Sequence, residues 1–136
     1  MRRFRRYGTV ASLLMVDIDH FKQINDAAGH LVGDQVIRQV AACLTDTLRG
    51  SDAAGRFGGD EFGVLLPGTA REAAMDVARR LGQLVRERVR NLGRPVTLSI
   101  GVAEIGPGLE EFESWTAAAD AALYRAKAAG RDQASF

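Results

Sequence analysis

An α+β fold, with a mixed and mainly antiparallel central sheet flanked by helices, is what this sequence predicts. Three observations carry the prediction. Short apolar runs alternate with longer segments whose apolar residues recur at spacings of three and four. A Gly-Gly pair sits between strand-like segments near the middle, so one hairpin interrupts the alternation. No internal repeat, Ser/Pro linker or shift in composition divides the chain.

Val10 to Val16 is an apolar run that ends abruptly in Asp17-Ile18-Asp19, which reads as a buried strand with carboxylates at its C-terminal end. A short helix is predicted from His20 to Ala28, with Asp19 as its N-cap and Gly29 as its stop. A second helix follows, carrying Val32, Val36, Ile37, Val40, Ala41, Leu44 and Leu48 on one face, with Gly50 at the C-cap position. Gly58-Gly59 is suited to the positive φ angles of a tight turn. Phe62 to Leu66 then reads as a strand closed by Pro67-Gly68. Ala70 to about Arg90 is a long amphipathic helix, Pro95 to Ile105 alternates like a strand, and Phe112 to Ala129 is an Ala-rich helix closed by Gly130. The tail to Phe136 has room for one more short strand.

The chain has 136 residues, near the modal size of one domain with one core. Its 18 Lys+Arg against 17 Asp+Glu give a net charge of +1, which argues against a general nucleic-acid binder. Apolar stretches are only a few residues long, so no membrane segment or signal peptide is expected. The single cysteine, Cys43, falls among apolar helical positions and reads as a small buried hydrophobe. A reducing, cytoplasmic location fits best. Arg2, Arg3, Arg5 and Arg6 crowd the N-terminus. A solvated end, or the stub of a helix continuing from a longer protein, explains them better than a nucleic-acid tail. Residues 1–9 are accordingly read as a stub and 10–136 as the domain.

The two histidines and one cysteine have no zinc-type spacing, so carboxylates are the available metal ligands and Mg²⁺ or Mn²⁺ the expected metal. Asp17 ends a buried strand and Asp60 follows the Gly-Gly turn. If the hairpin pairs beside the first strand, both carboxylates converge on one cation, as in sites that bind and attack triphosphates. Taken singly, each has a plainer reading as strand-end or hairpin polarity. Asp19 reads better as a cap than as a metal ligand.

Together the motifs say more. Asp17-Ile18-Asp19-His20-Phe21-Lys22-Gln23-Ile24-Asn25-Asp26, Gly29-His30-Leu31-Val32-Gly33-Asp34 and Arg56-Phe57-Gly58-Gly59-Asp60-Glu61-Phe62 resemble the GGDEF family of diguanylate cyclases. Val96 to Ala103, the segment Ala119 to Lys127, and Gly130-Arg131 agree with it in order, so the resemblance covers about Val10 to Arg131. It implies a nucleotidyl cyclase or polymerase palm-like fold with a ferredoxin-like core. It implies that Asp17, the Ile18 carbonyl and Asp60 hold divalent metal, with Asp60 as proton acceptor and Glu61 supporting the site. Asn25 and Asp34 match guanine-reading residues, and His30 belongs to the same substrate-binding segment. The backbone near Phe21 and Lys22, at a helix N-terminus, suits phosphates. Lys127 and Arg131 match basic residues that contact the triphosphate. Plainer roles remain beside these: Asn25-Asp26 closing a short helix, and Lys127 and Arg131 complementing a helix C-terminus.

A second site is written separately. Arg49-Gly50-Ser51-Asp52 is an R-x-x-D five residues ahead of Gly58 and resembles the family's inhibitory site for cyclic di-GMP, to which Arg80 would contribute. The implied activity condenses two GTP into cyclic di-GMP and two pyrophosphates. A two-fold symmetric product implies two domains meeting face to face, so a homodimer is expected to be needed for turnover. The family's usual opening stretch, D-x-L-T-G-L-x-N-R, is not present, and a missing sensory or receiver domain of a longer chain is inferred. Asp132 stands where the family often has Asn. The competing reading is a catalytically silent module that binds GTP or cyclic di-GMP; a palm-like cyclase of other specificity is disfavoured by the guanine-reading pair.

Overall fold

The computed structural model describes residues 10–106 and 111–136. The expected N-terminal stub and its arginines lie outside them. Strand β1 (Ala11–Ile18) is buried along its whole length and forms the centre of a five-stranded sheet of order β2-β3-β1-β6-β7. Its neighbours β3 (Glu61–Pro67) and β6 (Leu98–Glu104) both run antiparallel to it. Strand β2 (Ala53–Arg56) pairs antiparallel with β3, and β7 (Gln133–Ser135) is the one parallel partner, alongside β6. Helix α1 (Phe21–Ala28) and helix α2 (His30–Thr47) follow β1, helix α3 (Arg71–Arg88) follows β3, and helix α4 (Phe112–Ala128) follows β6. Among the described residues no helix is long and apolar enough to cross a membrane.

The period-2 alternation of β1 decides which side chains meet which helices. Leu14, Val16 and Ile18 join Val64, Leu66, Leu98 and Ile100 in a core covered by α1, α2 and α3. Leu13 and Met15 face the other way, into a smaller core with Trp115, Ala119 and Leu123 of α4. Asp17 belongs to this second, odd-numbered set. The strand therefore delivers its carboxylate to the side of the sheet that α4 covers.

Helix α4 sits unusually close. A β-carbon on Gly101 of β6 would lie 2.2 Å from both the Ala119 carbonyl oxygen and the Leu123 nitrogen, so glycine is what lets the helix backbone touch the strand. Trp115 is 1% exposed and donates its indole Nε1–H to the Ala103 carbonyl at 2.9 Å, satisfying its one polar atom inside the core.

Several local expectations are corrected. Helix α1 begins at Phe21 and its N-cap is His20, in the left-handed region at φ 57°; Asp19 caps nothing and is turned into the protein. Helix α2 ends at Thr47 with Leu48 as an extended C-cap, so Gly50 lies in the following turn and is not the cap. The segment read as one strand from Pro95 begins as a small hairpin, β4 (Arg90–Asn91) with β5 (Arg94–Pro95), and β6 starts only at Leu98. Its tip, Leu92-Gly93, takes φ of 54° and 78°. Neither Gly58 nor Gly59 has a positive φ. The connection from β2 to β3 is instead held by Arg56, whose Nε and Nη2 donate to the carbonyls of Gly58 (3.0 Å) and Gly59 (2.7 Å).

Candidate functional site

The antiparallel register sets Asp17 of β1 directly opposite Glu61 of β3, and the Ile18 amide donates to the Asp60 carbonyl at 3.1 Å. The hairpin thus pairs beside the first strand, and the carboxylates of Asp17 and Asp60 come within mutual influence. Asp17 is 8% exposed. Its Oδ2 is ion-paired with Nζ of Lys127, from the last turn of α4, while its Oδ1 is buried without a hydrogen-bond partner. Burial pushes the Asp17 carboxyl up to about 6; the Lys127 ammonium pulls against this, and the neighbouring Asp60 adds to it. Burial also raises Glu61, with Asp120 adding to the effect and Lys127 opposing it.

One cation, Lys127, therefore serves a crowded acidic corner. A buried carboxylate oxygen left without a donor is costly, and it marks a place where a ligand is owed. Among the described residues no three His, Cys, Asp or Glu side chains group closely enough to hold a metal. The set that fits a hard cation is therefore two carboxylates, Asp17 and Asp60, with the Ile18 main-chain carbonyl between them in sequence.

Helices α1 and α2 bring the predicted base-reading residues together. The Asn25 side chain lies so close to Gly33 that a β-carbon there would sit 1.8 Å from its Oδ1. Asn25 is thereby packed against the residue preceding Asp34. Phe21 is buried beneath, its ring edge 3.3 Å from the same point. Lys22 is exposed in the first turn of α1, and His30 and Asp34 are exposed in the first turns of α2. Arg131 follows α4 on an exposed turn, three residues beyond that helix and four beyond Lys127.

Sequence reasoning missed the second carboxylate of β1's end. Asp19 is 5% exposed and accepts hydrogen bonds from Ser99 Oγ (2.6 Å), Thr97 Oγ1 (2.7 Å) and the Asp132 amide (3.0 Å). The only sequence signal for it was a pair of hydroxyls, Thr97 and Ser99, at the start of an otherwise apolar strand.

The R-x-x-D motif forms a closed clasp at the end of α2. Arg49 donates Nη2 to Asp52 Oδ1 at 2.9 Å and its amide to Asp52 Oδ2 at 2.8 Å. The same Nη2 reaches the Pro67 carbonyl (3.0 Å) and Thr69 Oγ1 (2.9 Å), linking α2 to the start of α3. Burial alone would raise the Asp52 carboxyl, but the Arg49 hydrogen bonds outweigh it and hold Asp52 below the usual range. Arg80 stands exposed on α3, without a hydrogen bond or ion pair among the described residues. The clasp borders a cleft of about 640 Å³ between α2 and β2, whose wall includes Ile37, Arg38, Arg56 and Phe62.

Comparison with known proteins shows the family and the fold. A family model described as "Diguanylate cyclase, GGDEF domain" matches residues 1–133. The chain is 46% identical over 135 residues to a probable diguanylate cyclase, DgcC, of Escherichia coli (strain K12), covering 95% of this chain and 35% of that protein. It is 44% identical over 135 residues to diguanylate cyclase DgcP of Pseudomonas aeruginosa, covering 97% of this chain and 20% of that one. The chain thus spans about a third or less of the length of these relatives. Among solved structures, the GGDEF domain of DgcB from Caulobacter crescentus, in complex with c-di-GMP, matches with a TM-score of 0.91 at 36% identity, over 98% of this chain and 81% of that one. The active GGEEF domain of a diguanylate cyclase from Vibrio cholerae matches with a TM-score of 0.93 at 31% identity, over 98% and 86%. With the family match running across nearly its whole length and the fold shared, the chain belongs to the GGDEF family of diguanylate cyclase domains.

Proposed function

We propose that this domain is an active diguanylate cyclase, condensing two GTP into cyclic di-GMP with release of two pyrophosphates. The observation that carries the reading is the buried, unpartnered Oδ1 of Asp17 beside Asp60 at the open end of β1. Relatives named as diguanylate cyclases, and a neighbour solved with c-di-GMP, support the same reaction and product.

Asp17, Asp60 and the Ile18 carbonyl would hold Mg²⁺ or Mn²⁺. When bound, the metal supplies charge neutralisation at the phosphates and a lower pKa for the attacking hydroxyl. The protein's own groups do the rest. Asn25 and Asp34 offer an amide and a carboxylate to the guanine edge; an adenine would leave them unpaired. The main chain at the start of α1, Phe21 and Lys22, with the side chains of Lys127 and Arg131, would offer donors to the triphosphate. His30, which opens the helix that carries Asp34, would join them in binding substrate. In each half-reaction a ribose 3′-oxygen bonds to the α-phosphorus of the other nucleotide, and the bond from that phosphorus to pyrophosphate breaks. Asp60 accepts the hydroxyl proton, with Glu61 beside it. One chain offers one such half-site, so turnover needs a homodimer with the sites facing. The attached domains of a longer chain would supply that pairing, and a GTP-using reaction would fit a cytoplasmic domain. Product bound at Arg49, Asp52 and Arg80 would inhibit.

The test is mass spectrometry of nucleotides after the domain, fused to a dimerising segment and stripped of product, is incubated with GTP and Mg²⁺. Cyclic di-GMP is the expected product. GTP recovered intact from the fused dimer would replace this reading with that of a silent nucleotide-binding module.

A further inference from the structure

The turn after α4 is held in a conformation it would not adopt alone. Arg131 and Asp132 are consecutive non-glycine residues in the left-handed region, at φ 64° and 52°. Such residues persist only where the surroundings over-determine them, and they gather at functional sites. Here the surroundings are identifiable. The Asp132 amide donates to Asp19 Oδ2 at 3.0 Å, and the Asp132 carboxylate is ion-paired with Arg86 of α3. The Arg131 amide donates to the Ala126 carbonyl at 3.0 Å, and its own carbonyl accepts from Gln133 Nε2 at 3.0 Å. Asp19 is in turn locked by the hydroxyls of Ser99 in β6 and of Thr97 just ahead of that strand. Together these contacts fix the main chain that carries one basic residue, Arg131.

We propose that Asp19 and Arg86 are positioning residues: a two-point clamp that holds the strained turn so that Arg131 meets the β- and γ-phosphates of GTP. This rests on the reading of Arg131 as a triphosphate ligand. The clamp's logic is metric. Asp19 lies two residues beyond Asp17 on the same chain segment, so one rigid strand end sets both the metal-binding carboxylate and the arginine's anchor. Asp132 adds a charge that an asparagine would lack, and that charge reaches α3. Without the clamp the turn would relax toward ordinary φ values, and Arg131 would pay an ordering cost on binding.

Calorimetry with a non-reacting GTP analogue and with GMP tests this, using Asp19→Asn, Arg131→Ala, their double mutant and Arg86→Gln. Asp19→Asn should weaken the GTP analogue about tenfold while leaving GMP, which lacks the outer phosphates, unchanged. The double mutant should bind no worse than Arg131→Ala alone, because the clamp acts through that side chain. Arg86→Gln, at an exposed position that cannot cost the fold, should show the same selective loss at about threefold; it decides alone if Asp19→Asn does not fold, and unchanged affinity there overturns the clamp. Equal losses for GTP analogue and GMP, or full additivity with Arg131→Ala, would also overturn it while leaving the triphosphate reading intact. Wild-type affinity in Arg131→Ala itself would remove both.

Discussion

The amide of Ile18 donates to the carbonyl oxygen of Asp60 at 3.1 Å, stitching the end of the central strand to the first residue past the Gly-Gly pair. That single bond extends the β1–β3 ladder beyond its last paired residues, Asp17 and Glu61. It makes the relative position of the two candidate metal carboxylates a property of the sheet and not of a free loop.

Asp60→Asn should reduce kcat by about 100-fold or more while leaving the fold intact, because the main-chain bond to Ile18 survives the substitution. Cyclic di-GMP formation by the fused dimer, alongside the melting temperature, checks it. Full activity in this variant would remove Asp60 from the reaction.

Mg²⁺ or Mn²⁺ should raise the melting temperature of the nucleotide-free domain, since it would satisfy the buried Oδ1 of Asp17. The rise should vanish with a chelator and be lost in Asp17→Asn. A rise that persists in Asp17→Asn would place the cation elsewhere.

Gly33→Ala should spare the fold and damage substrate binding. Alanine is favoured over glycine within a helix by about 1 kcal/mol. Its β-carbon, however, would collide with Asn25 Oδ1, which can rotate away. GTP affinity should fall about tenfold with the melting temperature unchanged or higher. Gly101→Ala should do the reverse. There the obstacle is the main chain of α4, which cannot rotate away, and overpacking should cost about 1–3 kcal/mol. Chemical denaturation of both variants separates the two cases.

Arg49→Ala should relieve product inhibition, with at least about a tenfold loss of cyclic di-GMP affinity by calorimetry. The pH dependence has a definite sign. Asp52 is held below its ordinary value of about 3.9, so the clasp contributes fully above that pH and is lost as pH falls through the lower folded value. Between pH 5 and pH 8 this pair should change neither stability nor product affinity. Affinity that moves strongly across that window would mean a group other than Asp52 controls the site.

Much of this molecule was legible because its signals are local. Asp17 was visible as the abrupt end of an apolar run, and α4 as an Ala-rich helix stopped by glycine. The β1–β3 pairing stood only as a condition in the sequence, because strand partners are set by contacts far apart along the chain. The role of Asp19 was not legible, because its partners Thr97 and Ser99 come from far along the chain and nothing local distinguishes a cap from a buried acceptor. The same holds for Arg56. That a side chain, and not glycine's positive φ, shapes the hairpin turn depends on where its guanidinium folds back. The small hairpin before β6 was hidden for a different reason. Its two-residue strands are too short to show any period.

The Arg56 pin has a consequence for what natural variation at the turn can mean. Gly59 has an ordinary backbone angle and nothing within 4 Å of where a β-carbon would stand. Folding gives selection no grip on that position. A library of variants sorted only for soluble expression should drift freely there, while one sorted for signalling output should not. Any constraint found at Gly59 is then a record of molecules that approach the turn from outside.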